Sequence, residues 1–229
     1  MIAAAGAGGD RTTARTALAE LCRLYWFPLY GFARRKGLSP QDAEDATQTF
    51  FASILESNLF AAANPSLGRL RSFLLTAFSN RLADAHRAAG RQKRGGGTEF
   101  VSLDLIEAEG RYHAEPGGAE PVRQFEVAWA AAVLEGAVRS VEMEYHADGR
   151  GGIFAALRPF LCTGAGEVPD QAELAASLGL SHGTLRQALF RLRDRFRVTL
   201  RAQIADTLHD PTDAAIDDEI RTLRAVLAT

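Results

Sequence analysis

Apolar residues recur at intervals of three and four along most of this 229-residue chain, as they do on one face of an α-helix. No segment alternates apolar and polar residues in the way of a half-buried strand, and no repeat of fixed length is present. The pattern therefore predicts an all-α protein, made of two small helical modules joined by an acidic linker.

Residues 10–97 are predicted to form a first module of three helices. Their ranges are about 13–36, 39–55 and 69–89. Pro28 lies inside the first helix and predicts a kink or a break, because proline cannot donate the backbone hydrogen bond. The second helix has a strong start signal: Ser39 is a favourable N-cap, Pro40 suits the first turn, and Asp42 stands at the capping-box position.

The stretch 98–121 follows three consecutive glycines, is mostly acidic and is interrupted by further glycines and by prolines. Such a composition predicts a linker, with at most a short turn at 103–106. A second helical module is predicted over 122–205 and a separate acidic tail helix within 206–229. The helices expected in these parts are at about 122–147, 153–161, 170–178, 182–205 and 212–227. The tail helix either regulates the protein, binds a partner or packs on the second module, and packing is the favoured prediction.

The net charge of -2 conceals strongly charged segments. Residues 69–94 carry seven cations and one acid, a net charge of +6, and residues 186–201 carry six arginines and one acid, a net charge of +5. Between them, residues 99–126 carry seven acids and two arginines, a net charge of -5. Because local potential attracts phosphate, the two basic segments suggest two separate contacts with a polyanion. Either segment alone is also compatible with a solvated helix face.

The most specific local pattern is QAELAASLGLSHGTLRQAL at 171–189, which predicts a helix-turn-helix. Leucines supply the core between two crossed helices, Ala175 is small where they approach, Gly179 permits the turn and Ser181 caps the second helix. The side chains facing outward can enter a major groove, where arginine pairs with guanine and glutamine with adenine. These candidate DNA contacts are Ser181, His182, Thr184, Arg186, Gln187 and Arg191. A helical hairpin used only for packing is the alternative.

Two further helix faces in the first module are candidates for binding. The third helix has a polar, cationic face opposite its apolar stripe, which either grips phosphate or keeps the helix soluble. That face comprises Asn80, Arg81, Asp84, Arg87 and Arg91. The second helix is acidic, which suits a basic protein partner as well as the positive end of its own dipole. Its polar side chains, all expected to be exposed, are Asp42, Glu44, Asp45 and Gln48.

The chain offers little for catalysis or metal binding. The adjacent acids Glu44 and Asp45 do not face each other on a helix, and the five histidines show no ligand spacing. Two cysteines cannot complete a tetrahedral zinc site. The sequence therefore predicts no enzyme, no metal and no cofactor. It shows neither an export signal nor an uninterrupted apolar stretch of about 18 residues, which predicts a cytoplasmic protein.

Taken in order, these motifs resemble those of the sigma-factor family of bacterial RNA polymerase, of the small extracytoplasmic-function type. The segment YWFPLYGFARR at 25–35 resembles the first part of that family's region two. DAEDATQTFF at 42–51 resembles its polymerase-binding helix, with Thr49 where the family usually has an acid. FLLTAFSNRLADAHR at 73–87 resembles the helix that handles the minus-10 element, and the helix-turn-helix corresponds to region four, which reads the minus-35 element.

The resemblance implies a protein that binds core RNA polymerase, places it on promoter DNA and helps to melt the duplex, with room for an anti-sigma factor or other regulator. Polymerase binding is then assigned to Asp42, Glu44, Asp45, Gln48 and Phe51. Binding of the minus-10 element is assigned to the polar face between residues 80 and 91. Binding of the minus-35 element is assigned to the exposed side chains between residues 181 and 191. A stand-alone helix-turn-helix regulator without polymerase contact is the alternative function.

Overall fold

The structure, a computed structural model, describes residues 11–56, 69–89, 103–115, 120–161, 168–208 and 210–228. Over these residues the chain is helical and contains no strand, so the all-α prediction is confirmed. The helices are α1 Arg11–Arg35, α2 Pro40–Glu56, α3 Leu70–Ala89, α4 Leu103–Ala114, α5 Pro121–Ala147, α6 Gly151–Leu157, α7 Gln171–Ser177, α8 His182–Asp206 and α9 Asp213–Leu227, with a 3₁₀ turn Arg158–Phe160 after α6. No described helix is long and apolar enough to cross a membrane.

The ends of the predicted helices lie within two residues of the observed ones when the 3₁₀ turn is counted with α6, apart from α4, which was not predicted as a helix. The start of α2 follows the prediction: Ser39 Oγ accepts a hydrogen bond from the Asp42 backbone N–H at 3.1 Å and donates one to the Asp42 carboxylate at 2.7 Å. Of the kink or break predicted at Pro28, the break does not occur, because α1 continues through this residue. Leu24 and Leu29 are buried on either side of that proline, and their packing favours a continuous helix.

The chain divides into two compact units, Met1–Ala132 with Ala205–Thr229, and Val133–Ile204. The core of the first unit is built on α1, α2 and α3. Phe78 of α3 is fully buried and contacts the ring of Phe32 at 6.3 Å and that of Phe50 at 5.1 Å between centroids. These contacts give the first unit the three-helix core that the apolar stripes predict.

The segment predicted as a linker contains a helix, α4, that packs against α1 and α2. Leu105 and Ala108 lie three residues apart on one face of α4 and are buried. The acids and Gly110 of this segment favour coil in an isolated peptide, whereas contacts with the first unit favour the helix. The linker residues 98–102 and 116–119 lie outside the described residues.

The tail helix α9 belongs to the first unit, which corrects the expectation that it packs on the second module. Glu219 of α9 is buried and forms an ion pair with the buried Arg71 of α3. Arg69 completes this cluster, with its Nε 2.9 Å from Glu219 and its guanidinium paired with Asp218. Buried charges need partners, so the arginines that begin the third helix fix the position of the tail.

The first part of α5 also belongs to the first unit, so the division at 132/133 lies further along the chain than the predicted one at 121/122. Trp129 is fully buried, and the guanidinium of Arg71 lies 4.5 Å from the centroid of its ring. This contact joins α5 to α3 within the first unit. The apolar pattern of 122–147 alone does not reveal that one helix contributes to two cores.

The second unit packs the remainder of α5, α6, α7 and α8 around one apolar core. Its buried residues come from all four helices and from the 3₁₀ turn: Val138, Val141, Tyr145, Phe154, Leu157, Phe160, Ala175, Leu185, Leu189 and Leu192. This core supports α8 along the side opposite its arginines.

Candidate nucleic-acid interface

The first residues of α7 and α8 and the turn between the two helices lie at the positions that the sequence predicts. The Asp170 carboxylate caps α7 by accepting hydrogen bonds from the backbone N–H groups of Ala172 and Glu173, at 2.8 and 3.0 Å. These bonds, chiefly the one from Glu173, lower the pKa of Asp170. Gly179 has a φ of +64°, a conformation that favours glycine, and it lies in the turn before α8.

Ser181 is a cap rather than a free contact for DNA. Its Oγ accepts a hydrogen bond from the backbone N–H of Thr184 at 3.1 Å and lies 2.8 Å from the Thr184 hydroxyl. The two hydroxyls therefore satisfy each other at the start of α8. The predicted capping role of Ser181 is confirmed, and the contact of these two exposed hydroxyls with DNA stays a prediction.

The remaining predicted contacts all project into solvent from one helix. They are His182, Arg186, Gln187 and Arg191. Leu185, Leu189 and Leu192 are buried beneath them, so the backbone of α8 rests on a packed core. Side chains on such a support are held in register, as readout of successive base pairs requires.

Phe190 is a member of this surface that sequence reasoning missed. It is 70% exposed, although phenylalanine is ordinarily buried. It follows Arg186 by four residues and precedes Arg193 by three, so the three side chains share one face of α8. The sequence held a signal for this exposure. Phe190 lies among arginines and does not fit the spacing of the apolar stripe that contains Leu185 and Leu189.

Two of the flanking arginines form ion pairs on the surface. Arg195 Nε lies 2.5 Å from Glu144, and Arg197 lies 3.3 Å from Asp194. Pairs this exposed contribute little to stability and exchange readily for other anions. Arg193 is exposed and is not paired with an acid among the described residues.

The polar face of α3 is accessible in the first unit. Asn80, Asp84 and Arg87 are exposed, and Arg81 is half-buried. Arg87 forms an ion pair with Asp84 one turn away, so this acid reduces the positive potential of the face. Arg91 lies outside the described residues.

A groove of about 450 Å³ runs beside this face, between the end of α1 and the second half of α3. Leu38, Leu82 and Ala83 line it with apolar atoms, and Lys36, Arg87 and the imidazole of His86 border it. Sequence reasoning missed Lys36 and His86. Lys36 belongs to the turn after α1, and its approach to α3 is a tertiary contact that periodicity does not predict.

The acidic face of α2 is smaller than predicted. Asp42, Asp45 and Gln48 are exposed, but Glu44 is only 7% exposed and Phe51 only 5%. Glu44 follows the fully buried Ala43 and accepts a hydrogen bond from Gln48 Nε2 at 3.0 Å. The expectation that Glu44 is exposed is therefore wrong, and Phe51 contributes to the core.

Among the described residues, no group of three or more histidine, cysteine, aspartate or glutamate side chains could hold a metal ion. Comparison with protein-family models finds no match, and comparisons with curated proteins and with solved structures find none either.

Proposed function

We propose that this protein is a sigma factor of the extracytoplasmic-function type, which binds core RNA polymerase and directs it to promoters. The observation that carries the proposal is the exposed cationic face of α8, supported by a packed core. A second polar face, on α3, lies in the other compact unit. Two faces on two units suit a protein that contacts two promoter elements.

The α8 face suits readout of duplex DNA in the major groove. Arg186 can donate two hydrogen bonds to guanine, and Gln187 can pair with adenine. Phe190 adds an apolar surface that fits the methyl group of thymine. Arg193 reaches outward from the same face and suits a phosphate. These three kinds of contact favour the minus-35 element as the target of α8.

The α3 groove suits a melted strand. Its apolar lining at Leu38, Leu82 and Ala83 favours an unstacked base, and the cations Lys36 and Arg87 border it and attract phosphate. Extruding a base costs a few kcal/mol, which contacts of this kind must offset. The groove and the adjoining Asn80 therefore make α3 the candidate for the minus-10 element.

Polymerase binding is proposed for the exposed part of α2, at Asp45 and Gln48. Asp42 is engaged in the cap of its own helix, and Glu44 and Phe51 are buried. This loss of two expected contacts favours the alternative function, a stand-alone helix-turn-helix regulator that uses α8 without polymerase. Binding to polymerase separates the two functions.

The experiment is capture of purified core RNA polymerase on the immobilised protein. The variant carries Asp45→Lys and Gln48→Lys, two exposed positions at which the new side chains leave the core of α2 intact. The matched control is Glu107→Lys, an exposed acid of α4 without a side-chain contact among the described residues. Circular dichroism of all three proteins checks that the fold is retained.

We expect the wild type and the control to retain polymerase, and the α2 variant to lose at least about tenfold in affinity, since charge reversal opposes a basic partner surface. Equal capture of all three proteins would refute the role of α2. No capture of the wild type, together with tight binding to duplex DNA, would favour the stand-alone regulator.

A further inference from the structure

The contact between α4 and the end of α1 is formed largely by charged and aromatic side chains. The Glu109 carboxylate accepts a hydrogen bond from the Tyr30 hydroxyl at 2.5 Å and two from Arg34, at 2.7 and 3.1 Å. The Arg34 guanidinium, more than any other group, lowers the pKa of Glu109. This paired geometry is the one that arginine also adopts with phosphate.

A second acid extends the same arrangement. Arg35 lies 3.1 Å from Glu115, and both Arg34 and Arg35 contact the ring of Tyr112, at 4.9 and 5.1 Å from its centroid. The α1 cluster, defined as Tyr30, Arg34 and Arg35, is thus covered by two carboxylates and a ring. The carboxylates and the Tyr112 ring occupy the positions that the phosphates and a stacked base of single-stranded nucleic acid would take.

One member of the α1 cluster, Arg34, is also held by the turn that follows α1. Arg34 donates to the Leu38 carbonyl at 2.5 Å, which fixes its guanidinium. The Arg35 side chain is only 10% exposed, and its buried Nε has no hydrogen-bond partner among the described residues. The carboxylates therefore leave a buried donor unsatisfied, which an anion with more acceptor oxygens can satisfy.

An aromatic pair adjoins the α1 cluster, in which the Trp26 ring is half-buried and the Tyr30 ring is fully buried. The Trp26 ring stacks on that of Tyr30 with centroids 5.2 Å apart and planes within 7°, one helical turn before Arg34. Aromatic rings beside arginines are the surface on which single-stranded nucleic acid stacks its bases. Trp26, Tyr30 and Arg34 follow one another at intervals of four along α1, in a line that a nucleic-acid strand can follow only when Tyr30 is no longer covered.

The cover formed by α4 has few apolar anchors. Of the α4 side chains that the structure describes, only Leu105 and Ala108 are buried, and Ile106 is 59% exposed. Gly110 lies inside this 12-residue helix and weakens it. The Arg34–Glu109 and Arg35–Glu115 pairs, whose side chains are 10 to 20% exposed, complete the contact and are less screened by salt than fully exposed pairs. A competing anion must match these pairs to displace α4, whereas the rings of Phe32, Phe50 and Phe78 form the three-helix core without any residue of α4.

We propose that the α1 cluster is a binding site for the phosphates and bases of single-stranded nucleic acid, and that Glu109 and Glu115 hold α4 over it as an internal competitor. The inference deepens the proposed function, and it rests on that function only in supposing that the protein meets melted DNA. Its test contains no polymerase, so failure to bind polymerase and failure of this site are separate results.

The test is fluorescence anisotropy with a labelled single-stranded oligonucleotide of about 20 nucleotides, at low salt. Glu109→Gln removes the carboxylate that pairs with Arg34, whereas Glu107→Gln makes the same change of net charge at an exposed position of the same helix. We expect Glu109→Gln to bind about fivefold tighter or more, because a larger fraction of molecules has an open site. Glu107→Gln should match the wild type, and adding Arg34→Ala should abolish the gain.

Gly110→Ala is a second variant, which should lower the affinity for the oligonucleotide instead of raising it. A Cβ at this position meets no atom within 4 Å, and alanine favours the helix, so the variant should bind the oligonucleotide more weakly than the wild type. An equal gain from Glu107→Gln and Glu109→Gln would overturn the proposal, as would no gain from either. Should Glu109→Gln fail to fold, hydrogen exchange of the wild type decides: the amides of α4 should exchange faster with oligonucleotide, and unchanged exchange refutes the site.

Discussion

Arg186 and Phe190 lie one turn apart on the exposed face of α8, and under the proposed function each would make a different contact with a base. The guanidinium of Arg186 can donate two hydrogen bonds to guanine, whereas the ring of Phe190 can contact the methyl group of thymine. Neither side chain is needed for the core, because Leu185 and Leu189 fill the opposite side of the helix. Substitution of either residue should therefore change DNA recognition while leaving the fold unchanged.

Replacing Arg186 with alanine should cost about 1 to 3 kcal/mol at the preferred upstream element and relax specificity at one base pair. The measurement is competition among duplexes that differ at single positions, with core polymerase present. Arg139→Ala is the matched control, since Arg139 is an exposed arginine of α5 in the same unit. An equal loss on every duplex would mean that Arg186 contacts only phosphate.

Single residues also mark the limit of prediction from sequence. The caps at Ser39 and Ser181 were predictable, because a hydroxyl three residues before a free backbone N–H is a local signal. The burial of Glu44 was not, because it lies beside the buried Ala43, where exposure depends on the neighbouring elements. One element that contacts α2 is α4, which the apolar pattern does not reveal.

At the scale of elements, α4 and α9 are the parts whose positions the sequence did not predict. Both are short acidic segments, and both are held by arginines of distant helices, Arg34 on α1 and Arg71 on α3. Pairing of charges across such separations leaves no periodic signal in the sequence. The long helices were predictable because their apolar stripes repeat over several turns.

The α9 contact should be among the most sensitive to substitution. Glu219→Gln should lower the free energy of unfolding by about 3 to 5 kcal/mol, because it leaves the buried Arg71 without its counter-charge. Asp218→Asn is the control: this neighbouring acid is half-exposed, and its pairs should contribute about 1 kcal/mol or less. Urea denaturation compares the two, and equal losses would mean that burial of the Glu219 pair is not what holds α9.

At the scale of the whole molecule, the two candidate DNA faces lie on different compact units, α3 on the first and α8 on the second. The charge pattern predicted this separation, since the basic segments at 69–94 and 186–201 are far apart in sequence. It did not predict the boundary, because α5 contributes Trp129 to one core and Val138 to the other. Two units that each carry one cationic face are what a two-element promoter needs.

The most direct test of the proposed function is transcription by purified core RNA polymerase on a library of genomic promoter fragments, with and without this protein. We expect transcripts that depend on the protein and that start downstream of a shared two-element sequence. Arg186→Ala should alter the preference at the upstream element, whereas Arg139→Ala should not. The absence of any protein-dependent start site, with polymerase that is active with another sigma factor, would contradict the account.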